Sequence, residues 1–178
     1  LILSHGHMDH TGSLHAILKS LGRTIPLVVH PEAFLSPRYL GIGEGKKLLF
    51  PCTLKLDELE ALGAEILESI APVPLCDDSL LVTGQVERTT SFEKGFPNAF
   101  LSRDGKEEPD AILDDQSLVI HLKDKGLVVI SGCAHAGIVN TVEYARKITG
   151  VETIHGIIGG FHLSGPAFEP IIEQTIEA

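Results

Sequence analysis

Cysteine is scarce in this 178-residue chain: Cys52, Cys76 and Cys133 are the three present, an odd number at wide spacing. That is poor material for a disulfide framework and points to a reducing, cytoplasmic setting. Basic residues are also few, 14 Lys and Arg against 24 Asp and Glu, for a formal net charge of −10. A nucleic-acid binder needs a Lys/Arg-rich face to neutralise phosphates, so no such partner is expected. Long apolar runs are missing too: none approaches the roughly 20 residues that span a bilayer. The first residues lack a basic segment followed by an apolar one, so neither a signal peptide nor a membrane partner is expected.

What is present is a chain of one-domain length, 43% hydrophobic, with enough apolar material for a sizeable core. "LILSHGHMDHTG" reads as a buried strand over 1–3 running into a polar loop, and Leu14, Ile17, Leu18 and Leu21 then recur at helical spacing. A second strand over 26–30 is stopped by Pro31. Between 36 and 70 the pattern weakens to a flexible "GIGEGK" loop, a short helix in "LDELEALGA" and a strand in "AEILES". Pro72 and Pro74 break the chain, one β-rich run follows, and "RDGKEEPDAILDD" reads as a charged, exposed loop. The expected organisation is a single domain over 1–178 in which 35–115 is variable decoration on the substrate side.

Regularity returns in "SLVIHL" and "GLVVISGC", two β-branched-rich runs joined by a charged turn, which read as a hairpin. "AGIVNTVEYARKITG" follows as a helix closed by Gly150, then a strand in "TIHGIIGG" and a last helix over 168–177. The sequence begins without Met inside a strand pattern and ends inside a helix pattern, as a fragment cut at both ends would.

The chemistry-bearing residues are concentrated. His5, His7, Asp9 and His10 fall within six positions, directly after an apolar run. Ligands two apart on a segment leaving a strand face the same way, so His5 and His7 can grip one metal while Asp9 and His10 face a second. Such N/O donors suit zinc first, with iron and manganese as alternatives, and Asp9 is also the candidate proton acceptor.

Downstream, Cys133 and His135 follow a strand end in "VVISGCAH". Cys133 is read either as a soft thiolate ligand or as an inert buried thiol, and His135 as a ligand or a packed side chain. His162 in "GGFHL" closes another apolar strand, as a ligand or substrate contact or as a satisfied loop histidine. Arg88 and Glu93 in "VERTTSFE" are candidate substrate contacts, Arg88 suiting a phosphate or carboxylate, with a surface salt bridge as the alternative. Asp114 and Asp115 either orient metal-bound histidines or form a solvated turn. His15, His30, His121 and His155 sit inside helix or strand patterns and are expected to pack or face solvent.

"SHGHMDHTG" resembles the H-x-H-x-D-H signature of the metallo-β-lactamase superfamily. The segments "TGQVERTTSFEKG", "DDQSLVIHLKDKGLVVISGCAHAGIVNT" and "IHGIIGGFHLS" resemble more closely one branch of β-lactamase superfamily II. That branch is named for 7,8-dihydropterin-6-methyl-4-(β-D-ribofuranosyl)-aminobenzene-5′-phosphate synthase-like metal-dependent hydrolases. The resemblance implies an α/β (α+β) fold, an αββα sandwich, here incomplete at both ends, with two divalent metal ions at one edge. Where many members place a bridging Asp, this chain has Cys133, and the family's later H-C-T-G segment does not occur in it, so that if the protein ends at Ala178 the resemblance implies that one metal is held weakly.

The expected function is a metal-dependent hydrolase acting on a small-molecule ester, amide or phosphoester. The branch name implies instead a transferase, in which an aminobenzene-type carbon nucleophile displaces diphosphate from a pterin methyl group. A nuclease is disfavoured by the acidic balance, a flavodiiron-like redox role by the lack of a flavin domain, and a non-catalytic metal-binding protein remains the reading from another class.

Overall fold

The computed structural model describes residues 1–77 and 79–178. The chain is mixed α+β with several sheets and divides into two compact units, Leu1–Ile70 with Asn98–Asp114, and Ala71–Pro97 with Asp115–Ala178.

In chain order the first unit contributes α1 (Met8–Thr11), α2 (Leu14–Leu21), β1 (Ile25–Val29), β2 (Arg38–Gly41), β3 (Lys47–Phe50), α3 (Leu56–Ala61) and β4 (Ala64–Glu68). The second unit begins with β5 (Val73–Leu75) and β6 (Leu80–Val82). The first then resumes with β7 (Ala99–Arg103) and β8 (Lys106–Pro109). The second ends with β9 (Ser117–Leu122), β10 (Gly126–Ser131), α4 (Ile138–Thr149), β11 (Ile154–Ile158) and α5 (Ile172–Glu177).

The first unit is built on the parallel pair β1 and β4, registered from Ile25 opposite Ala64 to Val29 opposite Glu68. Leu3, Leu14, Leu18, Leu27, Val29, Leu54, Leu59 and Ala64 form its core, where each fully buried large aliphatic contributes about 1.5–3 kcal/mol. The expected strand over 1–3 is reduced to a single parallel bridge, Ile2 to Val28. Leu3 N–H still donates to the Val28 carbonyl at 3.0 Å, so the histidine loop leaves from a fixed point.

The same unit holds an antiparallel sheet in the order β3-β2-β7-β8. Strands β2 and β3 thus form where the sequence pattern weakens, and the reading of "RDGKEEPDAILDD" as loop is corrected at Arg103 and Lys106–Pro109: β7 and β8 pair from Phe100 opposite Pro109 to Arg103 opposite Lys106. The outer strands β3 and β8 carry mostly exposed side chains, so the buried alternation that marks a strand is absent from them although the backbone ladder forms.

The second unit is a five-stranded sheet in the order β11-β10-β9-β6-β5. The expected hairpin is β9 and β10, paired from Gly126 opposite Leu122 to Ser131 opposite Ser117. The expected helix is α4, which ends where Gly150, at φ 69°, turns left-handed. Its inner face packs Ala145 with Val119, Leu127 and Val129, and Ile138 and Val142 with Ala134. The last helix is shorter than expected, because Glu169–Ile171 form a single 3-10 turn before α5.

β10 and β11 are parallel neighbours, so their carboxyl ends lie at the same edge and their following loops run side by side. Gly159 at φ 146° makes that approach possible: a Cβ there would stand 2.2 Å from the Ser131 carbonyl oxygen. Gly160 N–H then donates to the Gly132 carbonyl at 3.0 Å. Gly159→Ala is expected to lower stability by about 1–3 kcal/mol through backbone strain, read as a reduced urea midpoint.

Candidate functional site: two histidine-bearing loops

In the first unit the chain leaves the Leu3 anchor and passes close to the turn at Ala33. A Cβ on Gly6 would lie 2.3 Å from the Ala33 carbonyl oxygen, so only glycine fits between the two histidines. Gly6 N–H donates to Asp114 Oδ2 at 2.7 Å, fixing the loop from the other side. His7 precedes α1, and its carbonyl accepts from His10 N–H at 3.0 Å and Thr11 N–H at 3.1 Å. That single turn brings His10 back over His5, with ring centroids 4.3 Å apart.

His5 Nε2 and His7 Nδ1 stand 3.1 Å apart. Two nitrogens bound to one tetrahedral ion at the usual zinc distances are separated by about 3.3 Å, so the pair is spaced for joint ligation. Ser4 Oγ lies 3.2 Å from His5 Nδ1, the nitrogen not facing His7, and 3.3 Å from His10 Nδ1. Burial, and next the charge of Arg38, lower the His7 pKa to about 4. The imidazole is therefore neutral at pH 7 and offers a lone pair, the state a metal requires. The Phe50 ring stacks on it at 5.3 Å. Asp9 lies outermost, its side chain 70% exposed and 3.6 Å from His10 Nε2.

Asp114 owes its charge to Arg38. Burial alone would push this carboxyl up, but Arg38 Nη2 donates to Oδ1 at 2.7 Å and Nη1 to Oδ2 at 3.3 Å, and the net effect holds its pKa below the usual carboxylate range. Arg38 Nε also lies 3.3 Å from Asp110, whose pKa is pushed up by burial despite the cation.

In the second unit, β10 runs into Cys133, Ala134 and His135, and β11 into His162. Ligand atoms of Cys133, His135 and His162 all lie within 4.8 Å of one another. His135 is buried, 4% exposed, while His162 is half-buried and left-handed at φ 48°. Asp115 Oδ2 accepts from Ala136 N–H at 3.0 Å, so it fixes the backbone beside His135 as Asp114 fixes the backbone beside His7 in its own unit. A thiol with two imidazoles is a donor set for zinc or another borderline ion, and its fit to a metal rests on that chemistry and convergence.

The same loops open onto a cavity of about 480 Å³, lined among others by Lys94, Phe96, His135, His162, Phe168 and Gln174. Its wall is tied to α4 by a buried brace. Glu93 Oε1 accepts from Val139 N–H at 2.9 Å and Oε2 from Asn140 N–H at 2.8 Å, capping a helix whose N-cap Gly137 has no side chain to do so. Asn140 Oδ1 accepts from Thr89 N–H at 2.7 Å and Thr90 N–H at 2.9 Å, and its amide donates to the Ala136 carbonyl at 2.8 Å. Glu93, an expected substrate contact, lines this cavity while both its oxygens accept from the helix. Arg88, the other expected contact, lies against Gly95, where a Cβ would stand 2.5 Å from Nη1.

Sequence reasoning missed Asn140, Phe96 and Phe168. A polar residue beside the apolar stripe in the first turn of α4 was the available signal for Asn140; nothing local marks the two phenylalanines. His15 pairs with Glu58 at 3.1 Å, His30 Nδ1 accepts from Glu32 N–H at 3.1 Å, and His121 and His155 are exposed.

Arg38→Leu leaves Asp110 and Asp114 buried without their cation and is expected to cost about 3–5 kcal/mol at pH 7. In the wild type the Asp114 contribution is complete above the ordinary carboxylate pKa, near 4, and fades only as pH falls through its lowered folded value. In the variant both carboxyls protonate more readily, so the cost should shrink between pH 7 and pH 4. Urea denaturation at the two pH values measures this.

No family model matches the chain. It is 35% identical, over its whole length, to the 7,8-dihydropterin-6-methyl-4-(β-D-ribofuranosyl)-aminobenzene-5′-phosphate synthase of Methanocaldococcus jannaschii, covering 60% of that protein. An uncharacterized protein of the same organism is 32% identical over 93% of this chain and 58% of its own length. The chain thus spans about three-fifths of the curated relatives it matches. A crystal structure of a metal-dependent hydrolase of the β-lactamase superfamily superposes with a TM-score of 0.78, covering 99% of this chain and 61% of that one, at 24% identity, which speaks to the fold alone. Among the described residues no helix is long and apolar enough to cross a membrane.

Proposed function

We propose that this chain is a metal-dependent hydrolase of the metallo-β-lactamase superfamily, acting on small-molecule esters, amides or phosphoesters, a reading supported by its identity to the synthase and by the fold it shares with a metal-dependent hydrolase of the β-lactamase superfamily. The observation that carries this reading is the convergence of Cys133, His135 and His162 within 4.8 Å, with the two histidines lining a substrate-sized cavity. His5, His7 and His10 hold metal in the first unit, with Asp9 as a further ligand or proton acceptor, and Cys133, His135 and His162 hold it in the second. Two ions are proposed, zinc first, with iron or manganese as alternatives. When bound, such ions polarise the substrate and bring the pKa of water towards about 7.

The protein's own groups do the rest. Neutral His7 keeps its lone pair available across the physiological range. Asp114 and Asp115 hold the two ligand loops by backbone N–H groups, so the imidazoles are placed before any ion arrives. Exposed Asp9, beside His10, can take up a proton on the solvent side. The cavity volume suits a small molecule, and the net charge of −10 counts against a polyanion.

A second reading has its own support in the 35% identity to the synthase along the whole chain. In it the same residues serve formation of a pterin-to-aminobenzene bond instead of hydrolysis. Both readings require metal.

Wild-type protein is expected to carry about two equivalents of metal by mass spectrometry and to hydrolyse bis-p-nitrophenyl phosphate or members of a lactone panel. His7→Ala combined with Asp9→Ala should lose metal and activity together. A metal-loaded wild type that hydrolyses none of these, yet couples a pterin diphosphate to an aminobenzene riboside, would favour the synthase. Wild type without metal would end both readings.

A further inference from the structure

The second unit's ligands sit on two irregular loops, and His162 occupies a left-handed backbone position that its own secondary structure does not stabilise. The χ2 torsion of an imidazole is broad, and an ion that must first fix it binds more weakly. The groups packed against the two rings therefore bear on how well they are placed.

Phe96 meets both imidazoles. Its ring stands 5.2 Å from the His162 ring at 90° and 5.8 Å from the His135 ring at 75°, edge-to-face in each case. The two imidazoles are 4.5 Å apart and tilted by 32°. Phe168 closes the cluster, 5.5 Å from Phe96 and 5.9 Å from His162. Edge-to-face pairs at these separations are favourable beyond the area they bury, so rotating either imidazole costs its contact with Phe96.

Phe96 is itself held. Gly95 before it takes φ 86° with the Arg88 guanidinium packed against it, and Pro97 after it has a fixed φ. Three residues upstream, Glu93 fastens the segment to the first turn of α4. The wall carrying Phe96 is therefore anchored to the helix that follows Cys133 and His135.

We infer that Phe96 is a positioning residue for the metal set of the second unit, locking the His135 and His162 ring planes so that both present a nitrogen towards the Cys133 thiol. This rests on the proposed metal role of those three residues. Residues that orient a ligand without touching the ion typically change metal affinity by about 10–100-fold when replaced.

The test is Co(II) titration of the full chain, followed by the thiolate-to-cobalt absorption and the ligand-field bands, for wild type, Phe96→Leu, Phe96→Tyr and Ile171→Ala. Phe96→Leu is expected to weaken binding at the thiolate-containing site about 10–100-fold and to alter its ligand-field bands, with the far-UV spectrum unchanged. Phe96→Tyr, which keeps the ring, should restore affinity to within about threefold. Ile171→Ala, which opens the same cavity without removing a ring from the imidazoles, should leave affinity as in wild type. If Phe96→Leu does not fold, Phe96→Met supplies the ratio. A ratio within about threefold of unity, with unchanged bands, would overturn the role of Phe96 while leaving the metal site standing. A wild type with no thiolate-to-cobalt band would instead overturn the metal reading of Cys133, and this role with it.

Discussion

A carboxylate buried beside a cation is the constraint on which the first unit's histidine loop depends. Asp114 can accept Gly6 N–H because Arg38 keeps it ionised, and Gly6 can approach because it has no side chain to strike Ala33. The same guanidinium contributes to keeping His7 neutral. One charge therefore adds to the burial that keeps a metal-type ligand neutral, and fixes the backbone that presents it.

The second unit reaches a comparable result by topology. Parallel pairing of β10 with β11 puts two loop origins at one edge, and Gly159 and Gly160 let the loops touch. The buried Glu93 and Asn140 then join the cavity wall to α4. These hydrogen bonds are mutually satisfied, which is what makes a buried polar group stabilising.

Much of this was legible in the sequence because periodicity is a local property. The β9–β10 hairpin and α4 follow from β-branched runs and an apolar stripe, and the clustering of His5, His7, Asp9 and His10 needs no fold to be noticed. β8, with the sequence Lys-Glu-Glu-Pro, was read as loop because its ladder is made by backbone groups while its side chains carry no apolar alternation. The bracing of α4 by Glu93 could not be read in advance, because a sequence does not reveal that this carboxylate meets the backbone N–H groups of Val139 and Asn140 behind an N-cap glycine. Phe96 escaped notice because its partners His135 and His162 become neighbours only when two parallel strands pair.

The four-stranded sheet of the first unit has two unlike borders. At β8 an incoming chain would meet Lys106, Glu107 and Glu108 and then Pro109, which has no amide hydrogen to offer. At β3 it would meet Leu48 and Leu49, both largely exposed, with a single charge at Lys47. One border repels strand addition and the other tolerates it, so self-association through this sheet would be one-sided, and crowding at high concentration would be felt first at the β2–β3 hairpin.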